Sequence, residues 1–334
     1  MGLCRVVHPH IQFNRSKTLI TVFEKTINHV FFCAARRASL ADKVQELPGV
    51  ARGTASDFAS TADGNLRKRG MEKFKNKVVI VIGAAGRDNM GQCIARAFAR
   101  EGAMLVVAGR DAAQLELLSA EIGGAAVVCD ITSEKDLKRL AETAINRFGG
   151  LDIALNATGW GLLKPFLDTT RADLEAIAAL QFTGAILFYQ AMLRSMRDGG
   201  SLLQISSATA SIMLEDHAAY MGTKAATDHI IRCIANEFGH RGIRANSIAP
   251  GFTTTPMTER ASRNAAILDT FAKEYPLGRV GTSEDIAEAA LWLASDQCFM
   301  TGQVLQVNGG LTLRRNPRNA EIAAAVRAAR EAAR

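Results

Sequence analysis

The sequence predicts an α/β protein in which a parallel sheet of seven strands is covered by helices on both faces. Three observations support this fold class. Short runs of β-branched and other apolar residues recur between residues 78 and 307, as expected for strands buried on both faces. Longer stretches with apolar residues three or four positions apart separate these runs and indicate helices. Their regular alternation is typical of a doubly wound sheet.

The seven predicted strands are short, and most are followed by Gly, Asp, Asn or Ser. They span 78–82, 104–108, 125–129, 153–155, 202–205, 243–248 and 304–307. The predicted helices span 92–101, 112–122, 133–148, 173–196, a helix carrying Tyr220 that continues to 238, and 283–294. Ser283 is the expected N-cap of the last helix. Residues 252–280 are expected to be loop with a short helix.

These elements place one catalytic domain at residues 72–312. Residues 1–71 form an N-terminal extension that we expect to be poorly ordered, with one short helix at 19–35. The first forty residues hold six basic side chains and one acid, which weakly resembles an organelle transit peptide. The alternative, which we favour, is an extension without a role in the fold. Residues 313–334 form a basic, Ala- and Arg-rich tail, expected to be helical from 320.

The charge distribution argues against a nucleic-acid partner. The net charge is +7, but residues 1–70 hold 11 Lys and Arg against 5 Asp and Glu, and residues 314–334 hold 6 against 2. The basic character therefore belongs to the ends of the chain and not to its body. No segment is expected to approach 18 uncharged apolar residues, so no membrane span is predicted. The six cysteines lack CxxC spacing, which predicts reduced, buried thiols and a cytoplasmic location rather than disulfides or a zinc site.

A glycine-rich loop follows the first predicted strand and leads into a helix. Gly83, Gly86 and Gly91 are its glycines. Glycines let the backbone approach a pyrophosphate, and the helix N-terminus offers free N–H groups. The loop therefore indicates a Rossmann-type dinucleotide-binding fold, a three-layer sandwich.

The residues after the second and third strands bear on the choice of dinucleotide. An acid at the end of the second strand would accept from the ribose hydroxyl of NAD, whereas arginine suits a 2′-phosphate. The chain has Arg110 there, with no acid before Asp111, and Arg87 in the glycine loop. NADP(H) is therefore favoured, with NAD(H) as the alternative. Asp130, after the third strand, either accepts from the adenine amine or caps a turn.

A serine, a tyrosine and a lysine further along the chain suggest carbonyl chemistry. Tyr220 and Lys224 are four residues apart, which places them on one helix face, and Ser207 lies thirteen residues before Tyr220. An ammonium beside a phenol lowers the phenol pKa, so that the phenol can exchange a proton with a carbonyl or alcohol oxygen. A nearby serine hydroxyl can hydrogen-bond the same oxygen.

Taken in order, these motifs resemble the short-chain dehydrogenase/reductase family from about 74 to 311. The phrases at 243–251, 276–281 and 307–310 are similar to its 3-oxoacyl-carrier-protein reductase branch. The resemblance implies NADP(H)-dependent interconversion of a ketone and a secondary alcohol on a small-molecule substrate, without a metal. It implies that Tyr220 is the general acid/base, that Ser207 orients the carbonyl, and that Lys224 lowers the pKa of Tyr220 and holds the nicotinamide ribose.

The resemblance also assigns further contacts. Members usually form dimers or tetramers through the helices at 173–196 and 220–238, so a homo-oligomer is expected. Near the nicotinamide it places Pro250, Gly251, Thr253 and Thr255. Asn156 would brace the central sheet or the cofactor edge. We also assign Met90 and Ile131 to the cofactor site.

Two departures from the family pattern motivate a rival hypothesis. Gly83 and Gly91 are eight residues apart, two more than usual, which is similar to the enoyl reductase branch; that branch, however, separates its tyrosine and lysine by six residues instead of three. Gln181 stands where most members have an asparagine in a proton relay, and we retain it as a catalytic candidate. The rival is a catalytically weak or inactive member that senses nucleotide or acts as a scaffold.

Four apolar residues are candidates for the substrate pocket, with ordinary core packing as the alternative: Trp160, Met213, Phe252 and Met257. His217 either faces the substrate or is a polar loop residue, and we favour the latter.

Overall fold

A parallel sheet of seven strands organises the residues that the computed structural model describes, 73–333. The strands are β1 (Val78–Ile82), β2 (Met104–Gly109), β3 (Ala125–Val128), β4 (Leu151–Asn156), β5 (Met196–Ile205), β6 (Arg244–Pro250) and β7 (Val304–Val307). Their order in the sheet is β3-β2-β1-β4-β5-β6-β7. Every neighbouring pair is parallel. The predicted fold class is therefore confirmed. The predictions for the extension at 1–71 lie outside the described residues.

Helices connect the strands and cover both faces of the sheet. They are α1 (Met90–Arg100), α2 (Ala112–Ile122), α3 (Glu134–Phe148), α4 (Arg171–Ala178), α5 (Gly184–Ser195), α6 (Ala218–Phe238), α7 (Glu259–Ser262), α8 (Ala265–Ala272), α9 (Ser283–Ala294) and α10 (Asn319–Ala332). The long helix expected at 173–196 is divided by a π-helical turn, Ala179–Thr183. The N-cap of α9 is Thr282 and not Ser283, because the Thr282 hydroxyl accepts from the backbone N–H of Asp285.

The alternation of side chains in β1 divides the core into two layers. Val78, Ile80 and Ile82 face the layer built with α3, α5 and α6. Val79 and Val81 face the layer built with α1, α2 and α9. All five side chains are fully buried, which explains why this strand is continuously apolar.

The connections bring the candidate site residues to one edge of the sheet. Because all strands are parallel, the residues that follow them lie at the same carboxyl edge. The order of strands reverses between β1 and β4, where the glycine loop after β1 lies beside the end of β4. An α/β sheet binds its ligands at such a switch point.

One prediction about apolar segments is wrong. Residues 176–193 contain no charged side chain, and the helical stretch Arg171–Ser195 is long and apolar enough to cross a membrane by length and composition. Nearly half of its most apolar window, 44%, is buried inside the protein. Phe188, Tyr189 and Met192 pack in the core layer. Core packing therefore accounts for the buried part of this apolar stretch.

The cysteines of the described part of the chain are unpaired, but not all are buried. Cys129 and Cys298 are buried, Cys93 is half-buried, and Cys233 is exposed on α6. The expectation of buried thiols is therefore wrong for Cys233. Cys4 and Cys33 lie outside the described residues.

Candidate active site

Ser207, Tyr220 and Lys224 are brought together by the end of β5 and the first turns of α6. Ser207 follows β5 and caps the short 3₁₀ helix Ala208–Ala210, because its hydroxyl accepts from the Thr209 backbone N–H. Tyr220 and Lys224 lie one turn apart in α6. The chain between Ser207 and α6 is therefore a short loop that joins the serine to the tyrosine.

The electrostatic environment of Tyr220 differs from the sequence expectation. Burial raises the pKa of the phenol, and the Ser207 hydroxyl partly offsets this rise. The predicted lowering of the Tyr220 pKa by Lys224 is therefore wrong for this structure, because loss of water around the phenolate is the largest effect and the Ser207 hydroxyl opposes it. The phenol consequently carries its proton at neutral pH and acts as a hydrogen-bond donor.

Lys224 is held between the sheet and Tyr220. Its side chain is buried, and its Nζ donates to the carbonyl oxygen of Ile205, the last residue of β5, at 2.8 Å. The Nζ lies 5.6 Å from the centre of the Tyr220 ring, within the range of a cation–π contact. Burial lowers the pKa of Lys224 from 10.5 to about 8, while the charge of Asp228 opposes the shift.

Asp228 is a charged residue of this site that the sequence reasoning missed. It lies one turn after Lys224 and is buried. Its Oδ2 accepts from the Ser206 hydroxyl at 2.7 Å. Burial raises the pKa of its carboxyl, while the hydroxyls of Ser247 and Ser206 and the Lys224 ammonium oppose the rise. The spacing of four residues from Lys224 was the available signal, because such pairs share a helix face.

Gln181 lies beside Lys224 but uses its amide for structural hydrogen bonds. Its Oε1 accepts from the backbone N–H of Trp160 at 2.7 Å, and its Nε2 donates to the Thr223 hydroxyl at 2.8 Å. A Cβ placed on Gly159 would lie 3.3 Å from Gln181 Oε1 and 3.7 Å from Lys224 Nζ, so the two side chains share one neighbourhood. Gln181 therefore ties the loop after β4 to α6.

His217 lies in the loop before α6, as the favoured alternative predicted, but it is buried against Tyr220. Its ring stacks on Tyr220 with centroids 4.2 Å apart. Its Nδ1 is 2.8 Å from the carbonyl oxygen of Leu162. Because a carbonyl only accepts, Nδ1 carries a proton. Burial lowers the pKa of His217, although this hydrogen bond opposes the shift, so the ring is neutral at pH 7 and Nε2 is an acceptor.

Three of the four apolar pocket candidates are exposed. Trp160, Met213 and Met257 expose 39%, 67% and 60% of their surface. A Cβ on Gly159 would lie 3.9 Å from the Met257 methyl carbon, which places Met257 at the site. Phe252 instead stacks on Phe271 at 4.5 Å in a satellite core. Core packing therefore explains Phe252.

The glycine loop forms a cradle that side chains would fill. A Cβ on Gly83, where φ is +92°, would lie 2.6 Å from the Ala157 carbonyl carbon. One on Gly91 would lie 2.5 Å from the Gly83 oxygen, and one on Gly86 2.8 Å from Asn89 Nδ2. Asn89 caps α1 by accepting from Gln92 N at 2.9 Å. The lengthened loop therefore keeps a capped helix N-terminus at the strand end, which fits a pyrophosphate.

The residues proposed to select the dinucleotide lie around this loop. Arg110, at the end of β2, is exposed and lowers the pKa of Asp130 more weakly than the hydrogen bonds from Thr132 do. Asp130 Oδ1 accepts from the Thr132 N–H and hydroxyl, so its role as a turn cap is confirmed for that oxygen. Arg87 is 85% exposed and lies 3.5 Å from Asp88. Met90, the first residue of α1, is half-buried, and Ile131 is buried.

The remaining cofactor candidates lie at the ends of β4 and β6. Asn156 is buried, and its Oδ1 accepts from the N–H and hydroxyl of Thr158, so it braces the turn after β4. Pro250 ends β6. A Cβ on Gly251 would lie 2.3 Å from the Tyr275 hydroxyl, so only glycine fits there. The hydroxyl of the buried Thr253 donates to the Gly251 oxygen at 3.0 Å. Thr255 N donates to the Thr258 hydroxyl at 3.0 Å.

Known proteins resemble this chain over most of its length. A family described as "Enoyl-(Acyl carrier protein) reductase" matches residues 83–312. Glucose 1-dehydrogenase of Gluconobacter oxydans is 33% identical over 252 residues, covering 72% of this chain and 94% of that protein. D-threitol dehydrogenase of Mycolicibacterium smegmatis is 30% identical over 250 residues, covering 72% and 95%. A solved short-chain type dehydrogenase/reductase from Mycobacterium ulcerans matches with TM-score 0.70 at 30% identity, covering 73% of this chain and 92% of that one.

The lowered pKa of Lys224 predicts a pH-dependent contribution to stability. Above its folded pKa of about 8 the folded chain has released a proton that the unfolded chain retains up to about pH 10.4, so stability rises with pH in this window. We expect wild type to gain about 2 kcal/mol of unfolding free energy over Lys224→Met between about pH 7.5 and 9.5, measured by chemical denaturation. The control is Lys138→Met, which replaces an exposed lysine: over the same pH range wild type should gain no unfolding free energy relative to this variant. Parallel pH profiles for wild type and Lys224→Met would contradict the prediction.

Proposed function

Because the chain belongs to the short-chain dehydrogenase/reductase family, whose members are oxidoreductases of alcohol and carbonyl groups, we propose that it interconverts a ketone and a secondary alcohol with NADP(H). The observation that carries this proposal is the placement of a protonated, half-buried Tyr220 beside Ser207 and Lys224. A phenol that keeps its proton at neutral pH is suited to donate it to a carbonyl oxygen that gains charge.

The three residues have separate tasks in this reaction. When bound, the nicotinamide supplies the hydride to the carbonyl carbon. Tyr220 donates its proton to the carbonyl oxygen, and the Ser207 hydroxyl orients that oxygen by a hydrogen bond. Lys224 stands beside the phenol, where its ammonium stabilises the phenolate that remains after proton transfer. Asp228 favours the charged form of Lys224.

The site supports NADP(H) over NAD(H). Arg110 and Arg87 are exposed basic side chains at the end of β2 and in the glycine loop. Asp111, the nearest acid after β2, caps α2 by accepting from Gln114 N at 3.1 Å. Its carboxylate is therefore engaged in the helix cap, whereas the arginines suit a 2′-phosphate. We propose that the other cofactor-binding candidates predicted from the sequence also surround the bound NADP(H).

Two substrate classes have support. The exposed Trp160 and Met257 lie beside Gly159 at the site, which favours a ketone with an apolar substituent, such as a 3-oxoacyl thioester. The relatives' names favour sugars and sugar alcohols instead. The neutral His217, with Nε2 as an acceptor, suits a substrate hydroxyl. A turnover panel of 3-oxoacyl thioesters, simple ketones and sugars or polyols discriminates between them.

We also propose a homo-oligomer. A shallow, largely apolar groove between α5 and α6 is lined by Ile186, Ile230 and Phe238, on the two helices through which the family is expected to associate. A single monomer mass by light scattering at micromolar concentration would contradict this proposal.

Removing the Tyr220 hydroxyl tests the catalytic proposal. Tyr220→Phe should lower kcat by at least about 100-fold, the scale of a lost general acid, and leave NADPH affinity nearly unchanged. The matched control is Tyr189→Phe, which loses a phenol hydroxyl bonded to Gln204 in the core and should stay active below its unfolding temperature. NADPH titration and turnover on the panel measure both. Retained activity in Tyr220→Phe would exclude the mechanism, and NADPH binding without wild-type turnover would support the nucleotide-sensing or scaffold alternative.

Removing the Arg110 guanidinium tests the cofactor preference. Arg110→Ala should weaken NADPH binding about 10- to 100-fold, the equivalent of one hydrogen bond to a charged group, and change NADH binding little. Arg100→Ala, an exposed arginine at the end of α1, is the matched control. Dissociation constants come from fluorescence titration. Equal losses for the two dinucleotides in Arg110→Ala would show that Arg110 does not read the phosphate.

A further inference from the structure

The C-terminal segment beyond Leu313 is docked on the domain by hydrogen bonds and apolar contacts. The match to the family ends just before this segment, at residue 312. Asn316 and Pro317 are buried, and α10 follows them. Helix formation near Ala320 was predicted correctly, but the docking was not. We name residues 314–332 the C-terminal strap.

The first part of the strap holds the loop that joins Ser207 to Tyr220. Asn316 Nδ2 donates to the Met213 carbonyl oxygen at 3.0 Å. Asn319 binds twice, through its backbone N–H to Glu215 Oε2 and through its Nδ2 to Asp216 Oδ2, each at 2.7 Å. Two asparagines of the strap therefore hold three of the four residues 213–216.

The held loop has a backbone conformation that needs support. Asp216 has φ of +59°, a left-handed conformation that is uncommon outside glycine. Its carbonyl oxygen accepts from the Lys164 N–H at 2.7 Å, so the same residue also ties down the loop after β4. The next residue, His217, stacks on Tyr220. The strap thus reaches Tyr220 indirectly: Asn319 binds Asp216, and the next residue, His217, stacks on the Tyr220 ring.

The second part of the strap holds the opposite wall. Helix α10 packs against α8. Ile322 joins the apolar cluster of Phe271, Tyr275 and Ala208, the residue after Ser207. Arg314 donates to the Lys273 carbonyl oxygen at 2.8 Å, and Arg315 pairs with Glu274 at 3.2 Å. The strap therefore joins the loop before Tyr220 to α8, the helix that comes after Thr253 and Thr255 in the chain.

We propose that the C-terminal strap is a specificity element of this enzyme, in which Asn316 and Asn319 are positioning residues that set where the 213–217 loop presents His217 and Tyr220 to the substrate. The inference rests on the proposed function for its kinetic readout. The inference predicts an effect on substrate binding and none on cofactor binding. Within the described chain, the side-chain hydrogen bonds and ion pairs from the strap to the rest of the domain reach residues 213–216 and 273–274, and none reaches the glycine loop at 83–91.

The kinetic test uses the full-length Asn316→Ala/Asn319→Ala variant and a second variant that lacks residues 315–334. Both should raise the substrate KM and lower kcat/KM on the order of 10- to 100-fold, the cost of a displacement of about 1 Å near the reacting atoms, while the Kd for NADPH stays unchanged. The control lacks only residues 328–334, which keeps Asn316, Asn319 and Ile322, and should behave as wild type. A substrate KM unchanged in the double variant, even with a lower Tm, would overturn the proposal. So would an equal loss of cofactor affinity, because it reports global damage.

Amide hydrogen exchange tests the same inference without turnover. The Ser211 and Ile212 N–H groups bond within the loop, and the Lys164 N–H bonds to Asp216. In the double variant, peptides that contain these amides should exchange faster, while peptides from β1 and α1 keep their rates. If wild type turns over no panel substrate, the proposed function fails, and faster exchange confined to these peptides still supports the strap. Unchanged exchange, or equally faster exchange throughout the domain, would overturn it.

Discussion

The hydrogen bond from Lys224 Nζ to the Ile205 carbonyl oxygen fastens the catalytic helix to the end of β5. It sets the distance between Ser207, two residues after the end of the strand, and the first turns of α6. Because all seven strands are parallel, the same edge also carries the glycine loop after β1. A buried ammonium without such a partner would be costly, so this bond serves both the packing and the chemistry of the site.

Burial determines the protonation states of this centre. Loss of water raises the pKa of Tyr220 and lowers that of Lys224, and both shifts favour the neutral side chain. Asp228 supplies the opposing charge, while Ser207 and Ser206 supply hydrogen bonds. At neutral pH the site therefore holds a neutral phenol beside an ammonium whose pKa, about 8, lies close to that pH.

The substrate side depends on contacts between distant parts of the chain. Gln181 joins Trp160 to Thr223, and Asn316 reaches Met213, 103 residues earlier in the sequence. Neither contact can be predicted from a periodic pattern, because hydrogen bonds between loops join residues at irregular distances along the sequence. The sequence could identify these side chains as polar residues in a given order, but not their partners.

The sequence by itself determined the alternation of strands and helices, because apolar periods of two and of three to four report local backbone geometry. It also determined that Tyr220 and Lys224 share a helix face and that glycines lie where the backbone of β1 turns. The tertiary structure alone decided the direction of the Tyr220 pKa and the docking of the tail. These depend on burial and on partners far away in the sequence, which only folding brings into contact.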